Sequence, residues 1–209
     1  MLLGAAALFS TGGAAIKGTS FAGFELAGLR SGVAVLAFLA FIPATRARPR
    51  PRELLVALAY AATLTAFVLA NKLTTSANTI FLQSSAPLYV LLLGRWLLGE
   101  RNRPSDFLVM AIVAAGLILF FVGSETPIRT APDPMRGNVL AVAAGVTWAL
   151  TIMGMRWLSR EEREGRGSVA PAVVVGNLIA LLVSLPFALP VVVARPLDWG
   201  IVEASTWNS

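Results

Sequence analysis

The sequence predicts an all-α membrane protein, a polytopic helical bundle with seven transmembrane helices. Three observations predict it. Seven apolar stretches occupy roughly residues 2–16, 26–44, 54–70, 79–98, 107–123, 138–155 and 169–194 of the 209-residue chain. Most approach the roughly 20 residues that a helix needs to cross a bilayer core. Hydrophobic residues make up 56% of the chain and charged residues 13%, against about 25% charged in a soluble domain. The cations lie in short connectors and form no basic domain. The formal charge of +6 therefore points to the anionic cytoplasmic lipid surface and not to nucleic acid.

Taken in order, Met1 to Ile16 has no positively charged leading region and reads as a first span, not as a cleaved signal. The second span carries Arg30 between Gly28 and Gly32 and is closed by Pro43, with Pro49 and Pro51 opening the third at positions where proline ends or begins helices. The fourth contains Pro87, four residues after Gln83. Pro87 has no N–H for the Gln83 carbonyl, so a distortion is expected there. The fifth opens after Pro104 and has no hydrogen-bonding side chain from Phe107 to Val122, which predicts scaffold. Ser124 to Arg136, with Pro127, Pro132, Asp133 and Pro134, reads as an extracytoplasmic linker. In the seventh span Asn177 and Ser184 are seven apart and share a helix face.

Connector charge sets the predicted orientation. Arg46, Arg48, Arg50 and Arg52 follow the second span, Arg95, Arg101 and Arg103 the fourth, and Arg156, Arg160, Arg163 and Arg166 the sixth, eleven of the seventeen basic residues. The alternate connectors hold five, Lys17, Lys72, Arg129, Arg136 and Arg195. Arginine-rich connectors stay cytoplasmic, so the N-terminus is predicted inside. That excludes seven-helix receptors and retinal proteins, which begin outside.

The first span has Ala6, Ser10, Ala14 and Gly18 at four-residue spacing, and the sixth has Ala141, Gly145 and Ala149. Small residues at this spacing let helices approach closely in lipid. Thr11 and Thr147 follow these stripes. Five spans separate the two copies, an odd number, so the second inserts upside down, as in the inverted repeats of secondary transporters.

The chain has no cysteine and no histidine. This removes disulfides, thiolate chemistry, the usual zinc ligands and the commonest general base, and neither catalysis nor a cofactor is expected. The candidate binding residues are polar groups inside spans. Gln83 with Ser84 and Asn78 surrounds the proline distortion, where a freed carbonyl must face protein or a water-filled cavity. Arg30 lies a few residues inside the second span, about 9 Å deep at 1.5 Å per residue, with Glu25 as a candidate partner. Trp148 and Asn177 sit inside the sixth and seventh spans. Lys17 and Lys72, at predicted outer span ends, read chiefly as solvated interfacial lysines.

The run from Thr74 to Val90, TTSANTIFLQSSAPLYV, continuing through Arg95–Trp96–Leu97–Leu98–Gly99–Glu100–Arg101 and Asp106 to Phe121, resembles the fourth and fifth helices of the EamA family in the drug/metabolite transporter superfamily. The resemblance implies ten helices in two inverted five-helix repeats, cytoplasmic termini and export of metabolites or amino acids through a central cavity. On that pattern residues 1–123 are the first repeat, 124–136 the linker and 137–209 a partial second repeat of two helices. The expected activity is alternating-access transport of a small metabolite or amino-acid-like solute across a prokaryotic plasma (inner) membrane. The alternative is a fragment or half-transporter that acts by pairing, as a homodimer or with the missing half. The expected partners are the lipid bilayer and the solute.

Overall fold

The computed structural model describes residues 12, 15–97, 99, 104–119, 121, 127–165 and 168–194. Most of the first predicted span, with Ala6, Ser10, Thr11 and Ala14, lies outside the described residues, as do Arg101, Arg103, Arg166 and residues 195–209.

Among the described residues lie seven α-helices and one 3-10 turn, with residues 15–17 also helical. The helices are α1 (Gly23–Phe41), α2 (Pro51–Leu73), α3 (Ser76–Gln83), α4 (Ala86–Leu97), α5 (Pro104–Leu119), α6 (Pro134–Arg163) and α7 (Val169–Ala194). A 3-10 turn, Pro43–Arg46, follows α1. Within α1, α2, α6 and α7 lie four segments long and apolar enough to cross a membrane.

Helix starts follow local chemistry. Pro51 opens α2 and Pro134 opens α6, where a missing N–H costs nothing because the first turn has no intrahelical acceptor for it. The Glu25 carboxylate accepts from the Ala22 N–H and Glu53 from the Arg50 N–H, each at 2.9 Å. Thr75 accepts from the Asn78 N–H at 3.1 Å, and Asp133 from the Arg136 N–H at 3.2 Å. Each satisfies a donor that a helix start leaves open.

One predicted span is corrected. The stretch 79–98 is two helices, the 8-residue α3 and the 12-residue α4, separated at Ser84 and Ser85. Pro87 lies in the first turn of α4, a position that suits it better than a helix interior, so the expected kink becomes a full interruption. The stretch 107–123 overlaps α5, whose 16 described residues, Pro104–Leu119, extend about 24 Å at 1.5 Å per residue; residues 120, 122 and 123 lie outside the described residues. The sixth span is longer than predicted. α6 runs 30 residues to Arg163, because arginine and glutamate are good helix formers and the helix continues through charges assigned to a connector.

The central helix is α2, packed against α6 and α7, with α1 lying on α7 and the α3–α4 pair on α6. The small-residue stripe of α6 is an interface as its spacing predicted. Ala141, Gly145 and Ala149 are all buried. Stacked Phe24 and Phe187 rings, 4.4 Å apart, join α1 to α7. By contrast α5 turns Phe107, Leu108, Ile112, Ile118 and Leu119 outward, the apolar surface that lipid requires.

Candidate functional site: a broken helix, a polar seam and an arginine-walled cleft

The break between α3 and α4 frees backbone groups that must be met elsewhere. Ser85 Oγ donates to the Leu82 carbonyl at 2.5 Å, and the Ser84 N–H donates to the Ile80 carbonyl at 2.9 Å. Gly145 of α6 lies against this break. A Cβ there would sit 3.1 Å from Ser85 Oγ, 3.2 Å from the Leu82 oxygen and 3.4 Å from the Gln83 oxygen. The freed carbonyls thus face protein, as backbone irregularity at membrane depth demands.

Behind the break runs a polar seam. Thr74 Oγ1 donates to Asn138 Oδ1 at 2.8 Å, and Asn78 Nδ2 approaches Thr74 Oγ1 at 3.3 Å and Asn138 Oδ1 at 3.5 Å. Farther along α2 and α6, the buried Thr63 and Thr151 hydroxyls meet at 3.4 Å. Asn71 Oδ1 and Ser184 Oγ are buried without a hydrogen-bond partner.

A cleft of about 620 Å³ opens between α2, α6 and α7. Tyr60 of α2 and Val173 of α7 form its sides. Along α6 its wall runs from Trp148 and Thr151 to Arg156, Arg160 and Arg163. A second cleft of about 440 Å³ is lined by Arg30, Thr19, Leu26 and Phe67.

The predicted residues fall into separate places. Gln83 ends α3 with its side chain half-buried, and exposed Ser84 spends its hydroxyl on the Ile80 carbonyl at 2.7 Å. Asn78 belongs to the polar seam. Trp148 is on the cleft wall, one turn along α6 from Gly145 and hence from the break. Asn177 is buried and donates to the Val173 carbonyl at 2.9 Å within its own helix. Arg30 is exposed on the second cleft. Its expected partner Glu25 is turned to the N-terminus of α1 instead, since the capping geometry is local and the five-residue spacing is not helical.

Three features escaped sequence reasoning. The arginines of the cleft wall stand at i, i+4 and i+7, a spacing that marks one helix face, whereas their charge alone suggests a connector. The lysines are clamps. Lys17 Nζ donates to the Thr74 carbonyl at 2.6 Å and to the Thr130 carbonyl, while Lys72 Nζ donates to the Thr19 carbonyl at 2.9 Å. Burial first, then the nearby Lys72 charge, lowers the Lys17 pKa from its ordinary value. At the opposite end Arg52 pairs with Glu161 and lies 5.4 Å over the Trp157 ring, and buried Glu53 accepts from the Ser168 N–H at 2.9 Å. No sequence spacing signals these long-range pairs.

Long apolar helices, hydroxyls and amides gathered between them, and a cleft walled by three helices define a multi-span helical membrane protein. The sequence pattern of the EamA-like transporter family matches residues 1–122. The chain belongs to that family, and membership makes it a transporter of the drug/metabolite type, a class typically without enzymatic activity. A comparison with curated proteins gives no match.

Proposed function

We infer that the protein moves a small metabolite or amino-acid-like solute across the plasma membrane by alternating access. The observation that carries this reading is the interrupted helix at Ser84 and Ser85, packed on α6 one turn from Trp148. Discontinuous membrane helices bring backbone dipoles and unpaired groups to the substrate sites of secondary transporters. Gln83 supplies the solute contact, because an amide both donates and accepts. Ser84 flanks it and Trp148 provides an apolar wall, while Asn78 in the polar seam, buried Asn177 and Arg30 on the second cleft are contacts away from the break. Residues 1–123 act as one repeat and 137–209 belong to its inverted partner.

The test is efflux from proteoliposomes loaded with radiolabelled amino acids and carboxylate metabolites. In a transporter with both repeats present, saturable efflux is expected, and it is expected to be lost or strongly weakened in Gln83→Leu. Losing one required polar contact costs on the order of 1–3 kcal/mol. Leu119→Ala, on the exposed face of α5, should transport normally. Normal kinetics in a well-inserted Gln83→Leu protein would reduce the break to a packing feature.

A further inference from the structure

The cleft between α2, α6 and α7 carries a charge distribution that the transport reading does not use. Its lining residues include Arg156, Arg160 and Arg163 and no aspartate or glutamate. Acidic neighbours on α6 are engaged elsewhere. Glu161 is buried and pairs with Arg52, and Glu162 accepts from the Ser168 hydroxyl at 2.7 Å. Arg156 and Arg163 are seven residues apart and both exposed, so their guanidinium groups share a face about 10 Å long at 1.5 Å rise per residue. Between them Ser159 adds a hydroxyl to the lining, and Trp148 and Tyr60 form the aromatic end.

We propose that this cleft is a binding site for a small organic oxyanion, its phosphate or carboxylate held by Arg156 and Arg163 and its body lying toward Trp148 and Tyr60. Arginine suits this task because its planar fork of donors matches both groups and stays charged. The volume of about 620 Å³ falls in the range of pockets that hold metabolite-sized ligands, about 300–1,000 Å³. The polarity of the cleft supports one orientation of ligand, with its head at the end of α6 and its ring or chain toward the bundle centre. If the transport reading holds, this site defines the cargo as anionic. The same chemistry fits an anionic lipid headgroup, and the two sources are separable.

The experiment places the chain in nanodiscs of neutral phosphatidylcholine and measures equilibrium binding of radiolabelled inorganic phosphate. A parallel arm adds phosphatidylglycerol and reads its retention by native mass spectrometry. The variant is Arg156→Gln with Arg163→Gln, both at exposed positions, and Arg136→Gln, at the N-terminus of α6, is the control. Saturable phosphate binding that weakens about tenfold or more in the double variant, a loss of roughly 1.4 kcal/mol, and is unchanged in the control supports a free oxyanion ligand. Phosphatidylglycerol retention lost in the double variant, without phosphate binding, assigns the site to the headgroup. Binding in neither arm, or binding indifferent to the double substitution, overturns the proposal. Efflux without arginine-dependent binding would sink this site and leave the transport reading standing, and binding without efflux would do the reverse.

Discussion

Single atoms at glycine positions set how closely these helices approach. A Cβ added at Gly137, in the first turn of α6, would lie 2.6 Å from the Thr74 nitrogen and 2.9 Å from the Leu73 carbonyl carbon. Both are backbone atoms, so no rotamer change relieves the clash. Overpacking of this kind costs about 1–3 kcal/mol, and it would push α6 away from the Thr74–Asn138 bond. At Gly32 the nearest atom to an added Cβ is Leu181 Cδ1 at 3.5 Å, ordinary contact with a flexible side chain. Gly137→Ala should therefore lower the thermal unfolding midpoint in detergent, followed by circular dichroism. Gly32→Ala should leave it unchanged or raise it, since alanine is the better helix former by roughly 0.5–1 kcal/mol. Equal midpoints for the two variants would show that α6 does not pack through Gly137. The importance of small residues was legible in the spacing of Ala141, Gly145 and Ala149. The role of Gly137 was not, because its partner is a backbone turn more than sixty residues away in sequence.

Helices in this protein are fixed at their ends as much as along their faces. Glu53 is 3% exposed, and its two oxygens accept from the Arg50 and Ser168 N–H groups, each at 2.9 Å. One carboxylate thus caps α2 and ties down the connector before α7. In Glu53→Gln one oxygen becomes an NH2 that meets an N–H donor, leaving a buried group unsatisfied at a cost of about 1–3 kcal/mol. Limited proteolysis should then cut the connector between α6 and α7 faster than in the unaltered chain, while Arg136→Gln, on an exposed residue at the far end of α6, should change the rate little. An unchanged cutting rate in Glu53→Gln would mean that the connector is held by other contacts. The sequence announces the local half of this arrangement, since Pro51 followed by Glu53 is a helix-start pattern. Its long-range half has no such signal. Element existence was legible wherever hydropathy was unbroken, as in α1, α2 and α7. It failed where polarity and conformation part company. Ser84 and Ser85 interrupt a stretch that hydropathy reads as one span, and Arg156 to Arg163 remain helical where charge suggests a connector. The break had a partial signal in Pro87. The arginine-walled cleft had one in its i, i+4, i+7 spacing, which becomes meaningful only once α6 is known to continue.

At the scale of the whole molecule, side-chain bonds sort the connectors into two ends. Arg52 with Glu161, and Glu53 with Ser168, join the connector before α2 to the one between α6 and α7. Lys17 with Thr74 and Thr130, Lys72 with Thr19, and the Asp133 N–H with the Leu73 carbonyl at 3.1 Å join the segments before α1, after α2 and before α6. This grouping agrees with the alternation that charge counting assigns to successive spans. Residues 42–50, 164, 165 and 168 share the arginine-rich end, and residues 18–22, 74–75 and 127–133 share the other. Positive-inside bias then sets the expected sidedness, with the arginine end in the cytoplasm, where the open mouth of the cleft would meet cytosolic anions and lipid headgroups. The absence of native cysteine makes this directly measurable. Arg48→Cys and Thr130→Cys both place a thiol at an exposed position, one at each end. In intact cells a membrane-impermeant maleimide should label position 130 and spare position 48, and permeabilisation should expose position 48. Labelling of 48 but not 130 would invert the orientation while keeping the two ends distinct. Labelling of both in intact cells would place both ends on one side, which the helix lengths of α2 and α6 and the two separate sets of end contacts do not permit in a spanning bundle.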